Sequence, residues 1–494
     1  MQIPFGEWLP DQPDHLNPGS TVATNVYHAQ TSYKPVKGLV PYSGASNVTQ
    51  NAKGAGSFRD NTNTVFTFVG TKDNIYKLTS GTFSSVKGSL TISGGDTDYF
   101  TFTQFGNYVI ASNGVNPPMY YLMGTSSNFA TLQSLASSSG SGTVPVKFKI
   151  SGVIRDFLVT GNIENAKNRV QWSGINDIST WESGVSSSDQ QDLPGSGGQV
   201  VAITSGEVGY VFRQDQIIRM DFVGGNVVFR FSVISPNRGA VYGQTVCQDN
   251  RQVFFYASDG FFQINGDQVL PIGAEKVNRF FESDLNKAYT DRITSAVDPF
   301  NTLAIWLYPS KDNPNTTGIC DKLLIYNYVT QKWSIAKVKA SQIFKQFVVA
   351  NTVELMDIIS ENLEDINISL DTAYWTTGHL YLGAIDENFK AAIFSGKTLE
   401  AELETKEQEL FPGLRANITS VRPLVDASAN VTIKTRDKLA DTVTTSSSSS
   451  MNDTGINPVR QSGRYFRANV KIPAESIWTN AQGIDLTASQ GGSR

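Results

Sequence analysis

The sequence predicts a mainly β protein: a β-propeller of about six to seven blades, with an extended N-terminal arm and an additional small C-terminal β domain. Charged residues make up only 17% of the chain, against roughly 25% in average soluble proteins, and glycine occurs 42 times, which indicates strands joined by many turns. A strand–turn–strand unit also recurs along the chain. A ring suits such units, because one small sheet cannot bury both faces alone whereas stacked neighbours can.

Each recurring unit is a short run of β-branched and aromatic residues bounded by Gly, Asp, Asn or Ser, the residues typical of turns. The seven units lie at 66–86, 107–122, 157–181, 209–220, 254–266, 303–335 and 379–396. Residues in their first turns are Gly70, Asn113, Gly161, Arg213, Asp259, Pro309 and Ala384. The first five intervals between these positions, 43 to 52 residues, match a propeller blade of roughly 40 to 50 residues.

The last interval is longer, at 75 residues, and requires an insertion. Apolar residues recur at helical spacing within it, so we expect a helical insertion near 353–370. The segment YNYVTQKWS at 326–334 is similar to part of a kelch blade. An irregular array of β-sandwiches is the alternative architecture, because the units share the order of strands and turns more than they share particular residues.

The predicted domain organisation has three parts. Residues 1–60 are rich in Pro, Asn, Gly and Ser and read as the extended arm, with Trp8 as an anchor. Residues 61–399 form the propeller. Residues 400–494 form the C-terminal β domain, a tip, a platform or a blade-closing unit, because ITSVRPLVD, ANVTIKTRD and RYFRANVKIP read as strands around a flexible TTSSSSSMNDTG loop.

The segment FFYASDGFFQING at 254–266 shows how a unit is interpreted. Asp259 precedes Gly260 as a tight turn requires, and the flanking aromatic residues supply strand faces. The sequence therefore predicts a hairpin rather than a binding loop around Asp259, with a positive φ at Gly260.

The sequence contains no recognisable catalytic, cofactor or phosphate-binding motif, and we expect a protein that is not an enzyme and holds no cofactor or metal. Three histidines leave little choice of acid–base partner, and GSGGQV at 195–200 lacks the lysine of a phosphate-binding loop. Cys247 and Cys320 are far apart and are expected to be buried free thiols. A calcium loop at Asp312, Asn313 and Asn315 is less favoured than a solvated loop.

Charge and hydropathy limit the partners. The net charge of −5 and pI of about 5.4 provide no basic field for sequence-specific DNA binding. No stretch reaches the ~18 apolar residues of a membrane-spanning helix, and the first residues lack a signal peptide, so we expect folding in a cytosol. The candidate residues for a protein interface are Trp8, Arg464, Arg467 and Trp478.

Several segments resemble the tail nozzle proteins, or packaged-DNA stabilisation proteins, of short-tailed bacteriophages. They are WLPDQP (8–13), QFGNYVIASNG (104–114), RVQWSGINDISTW (169–181), GAEKVNRFF (273–281), DPFNTLAIWLYPS (298–310), LLIYNYVTQKWS (323–334) and SGRYFRANVKIP (462–473). The resemblance covers most of the chain, from about residue 8 to 485.

The resemblance implies a structural virion protein, assembled in the bacterial cytoplasm, that forms a ring of six subunits below the portal and adaptor proteins. The ring would extend the DNA channel, retain the packaged genome and release it during ejection. Tail fibres or tailspikes, and a needle or plug, are the further partners implied. The family provides no catalytic residues to transfer.

Two alternatives remain open on the sequence. One is a propeller that binds or cleaves carbohydrate, as a tailspike does, which requires a cluster of aromatic and carboxylate side chains at one end of the ring. The other is a propeller unrelated to phage that acts as a scaffold for protein–protein contacts.

Overall fold

A computed structural model describes residues 1–15, 17–42, 46–225, 227–313, 319–347 and 380–492. The expected helical insertion near 353–370, together with Asn315 and His379, lies outside these described residues. The protein is mainly β, and its strands form a propeller and a C-terminal pair of sheets.

Five short strands occupy the N-terminal segment, residues 1–42. They are β1 (Gln2–Pro4), β2 (Ala23–Thr24), β3 (Val26–Ala29), β4 (Ser32–Pro35) and β5 (Val40–Pro41). Only β3 and β4 pair with each other, as a hairpin, while β1, β2 and β5 pair with distant parts of the chain.

Five four-stranded antiparallel sheets follow, each made from consecutive strands. Blade 1 contains β6 (Ala55–Arg59), β7 (Val65–Gly70), β8 (Ile75–Thr79) and β9 (Thr82–Ser85), and blade 2 contains β10 (Thr101–Phe105), β11 (Tyr108–Ser112), β12 (Met119–Leu122) and β13 (Ala130–Thr131). Blade 3 contains β14 (Phe148–Ile154), β15 (Phe157–Ile163), β16 (Ala166–Trp172) and β17 (Asp189–Asp192), and blade 4 contains β18 (Val200–Ile203), β19 (Val208–Arg213), β20 (Ile217–Phe222) and β21 (Phe229–Ser235). Blade 5 contains β22 (Cys247–Asp249), β23 (Gln252–Ala257), β24 (Gly260–Asn265) and β25 (Gln268–Pro271).

Helices are few among the described residues, and all lie between blades. They are α1 (Leu132–Ser139), α2 (Asn278–Asp284) and the 3-10 turns Gly243–Thr245 and Lys287–Arg292. No helix of the described residues is long and apolar enough to span a membrane.

The sixth and seventh blades share one long strand. Blade 6 contains β26 (Thr294–Asp298), β27 (Leu303–Tyr308), β28 (Cys320–Asn327) and the first half of β29 (Lys332–Phe347). The second half of β29 begins blade 7, where it pairs with β30 (Leu380–Asp386), which pairs with β31 (Ala391–Ile393). The outermost strand of blade 7 is β5 from the N-terminal segment, so the start of the chain closes the ring.

The first strands of the seven blades form the inner ring of the propeller. Each of these inner strands contacts the next around the ring. Between blades 4 and 5, the 3-10 turn Gly243–Thr245 makes this contact with the inner strand of blade 4. The ring closes where the second half of β29 contacts β6. The second strands are enclosed between neighbouring blades, and all seven residues of β15 are buried. Because both faces of each second strand are covered, the sequences of these strands are nearly continuous apolar runs.

The C-terminal part contains two sheets. Its strands are β32 (Ala401–Glu404), β33 (Gln408–Glu409), β34 (Ala416–Val425), β35 (Asn430–Arg436), β36 (Thr444–Thr445), β37 (Ser449–Ser450), β38 (Asn457–Gly463), β39 (Tyr465–Ile472) and β40 (Ala481–Gln490). The terminal sheet has the order β3-β4-β40-β34-β38, with β1 also paired to β40. The bridging sheet has the order β2-β32-β39-β35, and apolar side chains of both sheets share one core.

The predicted division at residues 60 and 400 stays a prediction about domains, and strand pairing adds detail to it. Residues 55–59, which the sequence-based division places in the arm, form the inner strand of blade 1. The remainder of the arm is divided, since β5 belongs to the propeller and β1 to the terminal sheet.

The 254–266 unit is the hairpin of blade 5, as predicted. Strands β23 and β24 pair directly across the Ser258–Asp259 turn, and φ at Gly260 is +130°. The flanking aromatic residues Phe254, Tyr256 and Phe261 are all buried. The Asp259 carboxylate forms an ion pair with Arg238, in which Asp259 Oδ2 lies 2.6 Å from Arg238 Nη2. Its charge is therefore paired within the same chain.

Candidate functional site

The N-terminal segment joins the propeller to the C-terminal sheets, and we call this region the junction. Strand β2 pairs in parallel with β29 of blade 6 through Thr24 and Ile335. Its other edge pairs antiparallel with β32, where Ala23 lies opposite Leu403. The sheet of blade 6 therefore continues through two residues of β2 into the bridging sheet.

Trp8 lies at the centre of the junction. Its side chain is 2% exposed, its indole Nε1 donates to the Thr21 carbonyl at 3.1 Å, and its ring meets Phe280 edge-on at 5.1 Å between centroids. Phe280 belongs to α2 of the propeller, whose first backbone N–H groups donate to Asp11. The predicted anchor is thus buried between segments of its own chain, and a role for Trp8 toward another protein stays a prediction.

Arg467 belongs to a buried ion-pair network in the bridging sheet. Its guanidinium lies 3.1 Å from Asp14 Oδ2 in the N-terminal segment and 3.3 Å from Glu404 Oε1 in β32. Glu404 is 1% exposed and also accepts from Lys434 Nζ at 2.6 Å. A buried carboxylate depends on such partners, so Arg467 ties the N-terminal segment to the C-terminal part.

Arg464 and Trp478, the other two candidate interface residues, lie away from this network. Arg464 stands between β38 and β39, where the chain crosses from the terminal to the bridging sheet, and it is half-buried. Trp478 is 4% exposed and contributes to the core shared by the two sheets. Among the described residues, Arg464 Nε and Trp478 Nε1 have no hydrogen-bond partner.

Substitution of the two arginines should separate their roles. Arg467→Met is expected to lower the free energy of unfolding by about 1.5 to 3 kcal/mol, because Glu404 loses a charged partner in a buried place. Arg464→Met should change it by less than about 0.5 kcal/mol, as for most partly exposed substitutions. Urea denaturation of both variants tests this, and equal midpoints would contradict the assignment.

His28 lies on the propeller side of the junction. Its Nε2 is 3.1 Å from Lys332 Nζ, and its ring packs edge-on against Tyr33 at 4.8 Å. The His28 carbonyl accepts from the Asn327 side chain at 3.0 Å. Burial, followed by the positive charge of Lys332, lowers the pKa of His28 from 6.5 to about 4.

The lowered pKa of His28 predicts acid sensitivity at the junction. Its contribution to stability is fully present above pH 6.5 and is lost as pH falls toward 4, because the unfolded chain binds the proton first. The loss should approach about 1.4 kcal/mol per pH unit in that window. Urea midpoints at pH 7.5, 5.5 and 4.5 should fall more steeply for the natural protein than for His28→Gln, and parallel curves would contradict the prediction.

The inner strands enclose an axial cavity of about 570 Å³. Its wall is made of small and polar residues with a few aromatic rings, including Ser57, Thr103, Ser151, Thr204, Ser295 and Phe344. Tyr99, at the entry to blade 2, reaches across the ring to blade 5, where a Cβ added to Gly243 would lie 2.6 Å from the Tyr99 hydroxyl. The glycine therefore leaves room for a tyrosine that lies across one mouth of the cavity.

Lys149 contacts Tyr99, and two further cations, Lys53 and Arg292, interact electrostatically with each other. Lys149 Nζ lies 4.1 Å from the centre of the Tyr99 ring, and Lys53 donates to the carbonyl of Asp96. Arg292 Nε lies 3.0 Å from Asp291 Oδ2. Burial, followed by the positive charge of Arg292, lowers the pKa of Lys53 from 10.5 to about 8.

The thiols and the candidate calcium loop can also be placed. Cys247 and Cys320 are buried and free, as predicted, and burial raises the pKa of Cys247 to about 12. In the loop, Asn313 Nδ2 donates to the Ile319 carbonyl at 2.6 Å. Within the described ranges, no group of three or more His, Cys, Asp and Glu residues could hold a metal ion.

Comparisons with known proteins give only distant structural similarities. No protein-family model matches the chain, and no curated protein matches it in sequence. Among solved structures, a chain of a mitotic checkpoint complex is 9% identical with a TM-score of 0.38, covering 75% of this chain and 96% of that one. The WD40 domain of Pan2 from Neurospora crassa is 8% identical with a TM-score of 0.38, covering 74% and 96%. At such scores the likeness carries no functional argument, and the propeller assignment rests on the strand pairing.

Proposed function

We propose that this protein is a structural scaffold rather than an enzyme, and that its assembled form is the ring of a short phage tail. The scaffold role is the broader part of the proposal, and the propeller architecture supports it. The phage role is the narrower part and rests on the resemblance of the sequence segments to tail nozzle proteins. One observation carries the scaffold role: the propeller and the C-terminal sheets form a single body through β2.

A continuous sheet and a shared core fix the orientation of two surfaces. The core that contains Trp306 and Trp333 of blade 6 also contains Val431 and Val470 of the bridging sheet. Two parts joined only by a flexible linker would rotate relative to each other, whereas burial across the junction opposes rotation. A fixed orientation suits a subunit that presents one face to its neighbours in a ring and another to an attached protein.

In this proposal, DNA passes between subunits and not through the propeller. The axial cavity, at about 570 Å³, has the size of a small-molecule pocket, and Tyr99 lies across one of its mouths. The channel would be the lumen of a hexameric ring below the portal and adaptor. A net charge of −5 suits such a lumen, since lysine and arginine contacts to phosphates would retain the strand.

Removal of the protein from its phage tests the narrower part. Particles without it are expected to fill with DNA and then lose it, and a supplied Asp259→Asn variant should restore retention because that change leaves the blade 5 hairpin in place. Particles that kept their genomes and infected normally would refute the phage role. That result would not contradict the scaffold role. A pull-down that compares the natural protein with a variant altered on the propeller face would then test the scaffold role.

A further inference from the structure

One lysine reaches into the axial cavity at the end opposite to Tyr99. Lys345 lies in the second half of β29, the inner strand of blade 7, and its side chain forms part of the cavity wall. Its Nζ lies 3.4 Å from the carbonyl oxygen of Gln248 in β22, the inner strand of blade 5. The side chain therefore passes the inner strand of blade 6 and places its ammonium group beside the cavity.

Lys345 is the only charged residue among the described residues that line the cavity. An ammonium group can donate three hydrogen bonds, and the contact with the Gln248 carbonyl is longer than the usual limit of about 3.2 Å. No carboxylate of the described ranges forms an ion pair with Lys345, whereas Lys339 of the same strand lies 3.2 Å from Glu387 Oε2. Lys345 is half-buried rather than enclosed, so its remaining donors can serve a further acceptor.

The groups around this ammonium are neutral. The Gln248 amide is held by blade 4, since its Oε1 accepts from the Ser205 N–H at 3.2 Å and its Nε2 donates to the Ser205 carbonyl at 2.7 Å. Burial raises the pKa of Cys247 to about 12 in spite of the positive charge of Lys345, so this thiol stays protonated at neutral pH. The protein therefore places a positive charge here without a negative charge to match it.

The size and the lining of the cavity define which molecules fit beside Lys345. Its volume of about 570 Å³ lies within the range of small-molecule pockets, roughly 300 to 1,000 Å³. Phe58 and Phe344 contribute aromatic rings to the wall, and the other lining residues are small, apolar or polar without charge. One cation matches one negative charge, and a second negative charge would enter a cavity that offers it no partner.

We propose that the axial cavity binds a small organic monocarboxylate. The carboxylate accepts hydrogen bonds from Lys345 Nζ, and the uncharged body of the molecule lies between the inner strands. Tyr99, which lies across the opposite mouth, limits the length of that body. The site is independent of the scaffold role, so either proposal can fail without the other.

Fluorine-detected NMR of the full chain with 4-fluorobenzoate tests the proposal. Saturable binding is expected, and 4-fluorobenzamide, which has a similar shape without the charge, should bind at least about ten-fold more weakly, the value of one charge-assisted hydrogen bond. Lys345→Met keeps the apolar stem of the side chain, and it should weaken carboxylate binding by the same factor while leaving amide binding unchanged. Lys339→Met, at a side chain that is 63% exposed, is the matched control and should bind both probes as the natural protein does.

The comparison of acid and amide needs only the natural protein, so it decides the matter even if Lys345→Met fails to fold by circular dichroism. Hexanoate and hexanamide repeat it with a flexible body, and preference for either carboxylate over its amide supports the site. The proposal is overturned if neither carboxylate binds, if the amides bind equally well, or if Lys345→Met and Lys339→Met lose affinity equally. Displacement of 4-fluorobenzoate by an equal concentration of inorganic phosphate also overturns it, because the ammonium would then accept any anion.

Discussion

Replacing Trp8 with alanine is expected to lower the free energy of unfolding by about 3 to 5 kcal/mol, the usual cost of removing a buried aromatic side chain. Trp8 is 2% exposed and joins the N-terminal segment to α2 through the Phe280 ring. Its loss leaves a cavity in the junction, and the Thr21 carbonyl loses the indole N–H that donates to it. Because total stabilities are only about 5 to 15 kcal/mol, the variant should be poorly soluble or readily cleaved.

The comparison requires an apolar residue that makes no such contact. Ile477 is 81% exposed, and Ile477→Ala should change the stability by less than about 0.5 kcal/mol. Urea unfolding and limited proteolysis of both variants provide the measurement. Rapid cleavage between the propeller and the C-terminal sheets is expected for Trp8→Ala alone, and equal resistance of both variants would show that Trp8 does not hold the junction together.

Gly260→Val should destabilise the protein by about 2 to 5 kcal/mol, from two independent causes. At +130°, the φ of Gly260 lies in a region that a β-branched residue scarcely adopts. An added Cβ would also lie 1.9 Å from the Asn278 amide nitrogen. The Asn278 side chain stabilises the turn, because its Oδ1 accepts a hydrogen bond from the Phe261 N–H at 3.2 Å. A valine at position 260 would displace this side chain.

The neighbouring residue provides the control. Asp259→Asn removes one charge of an ion pair in which both side chains are more than a third exposed, and such pairs contribute at most about 1 kcal/mol. Thermal unfolding should therefore place Asp259→Asn near the natural protein and Gly260→Val well below it. A large loss for Asp259→Asn would mean that the turn depends on the carboxylate instead of the glycine.

The blades could be predicted from the sequence because each second strand is buried on both faces. All seven predicted units include the second strand of a blade, from Val65–Gly70 to Leu380–Asp386. The inner strands were harder to recognise. AGSFR in blade 1 and TSAVD in blade 6 are rich in small and polar residues, because they face the axial cavity and crowd one another near the axis.

The junction could not be predicted, since it consists of very short strands with partners hundreds of residues away. Strand β2 has two residues, and β5 has two as well, yet one bridges the two parts and the other closes blade 7. Neither has the alternation of a longer strand. Trp8 and Arg467 stand out in the sequence as an aromatic and a basic residue near the ends of the chain, but their partners Phe280, Asp14 and Glu404 carry no local signal.

The residues near the mouth of the axial cavity could not be predicted either, for a related reason. Lys53, Tyr99 and Arg292 each stand alone in the sequence just before an inner strand, and Lys149 is the second residue of one. The shared position of these residues, at the starts of inner strands, becomes visible only when the strands are placed around one axis. A search of residues at the start of each inner strand would bring these residues together, but it needs the strand boundaries first.

Electron cryomicroscopy of the phage particle that carries this protein tests the central proposal most directly. We expect six copies in a closed ring below the portal and adaptor, with DNA in the lumen between subunits. Each propeller and its C-terminal sheets should form one body, with residues 1–42 folded against their own subunit as β1, β2 and β5 are. A tail that contains no copy of this chain, or a lumen formed by another protein, would contradict the account.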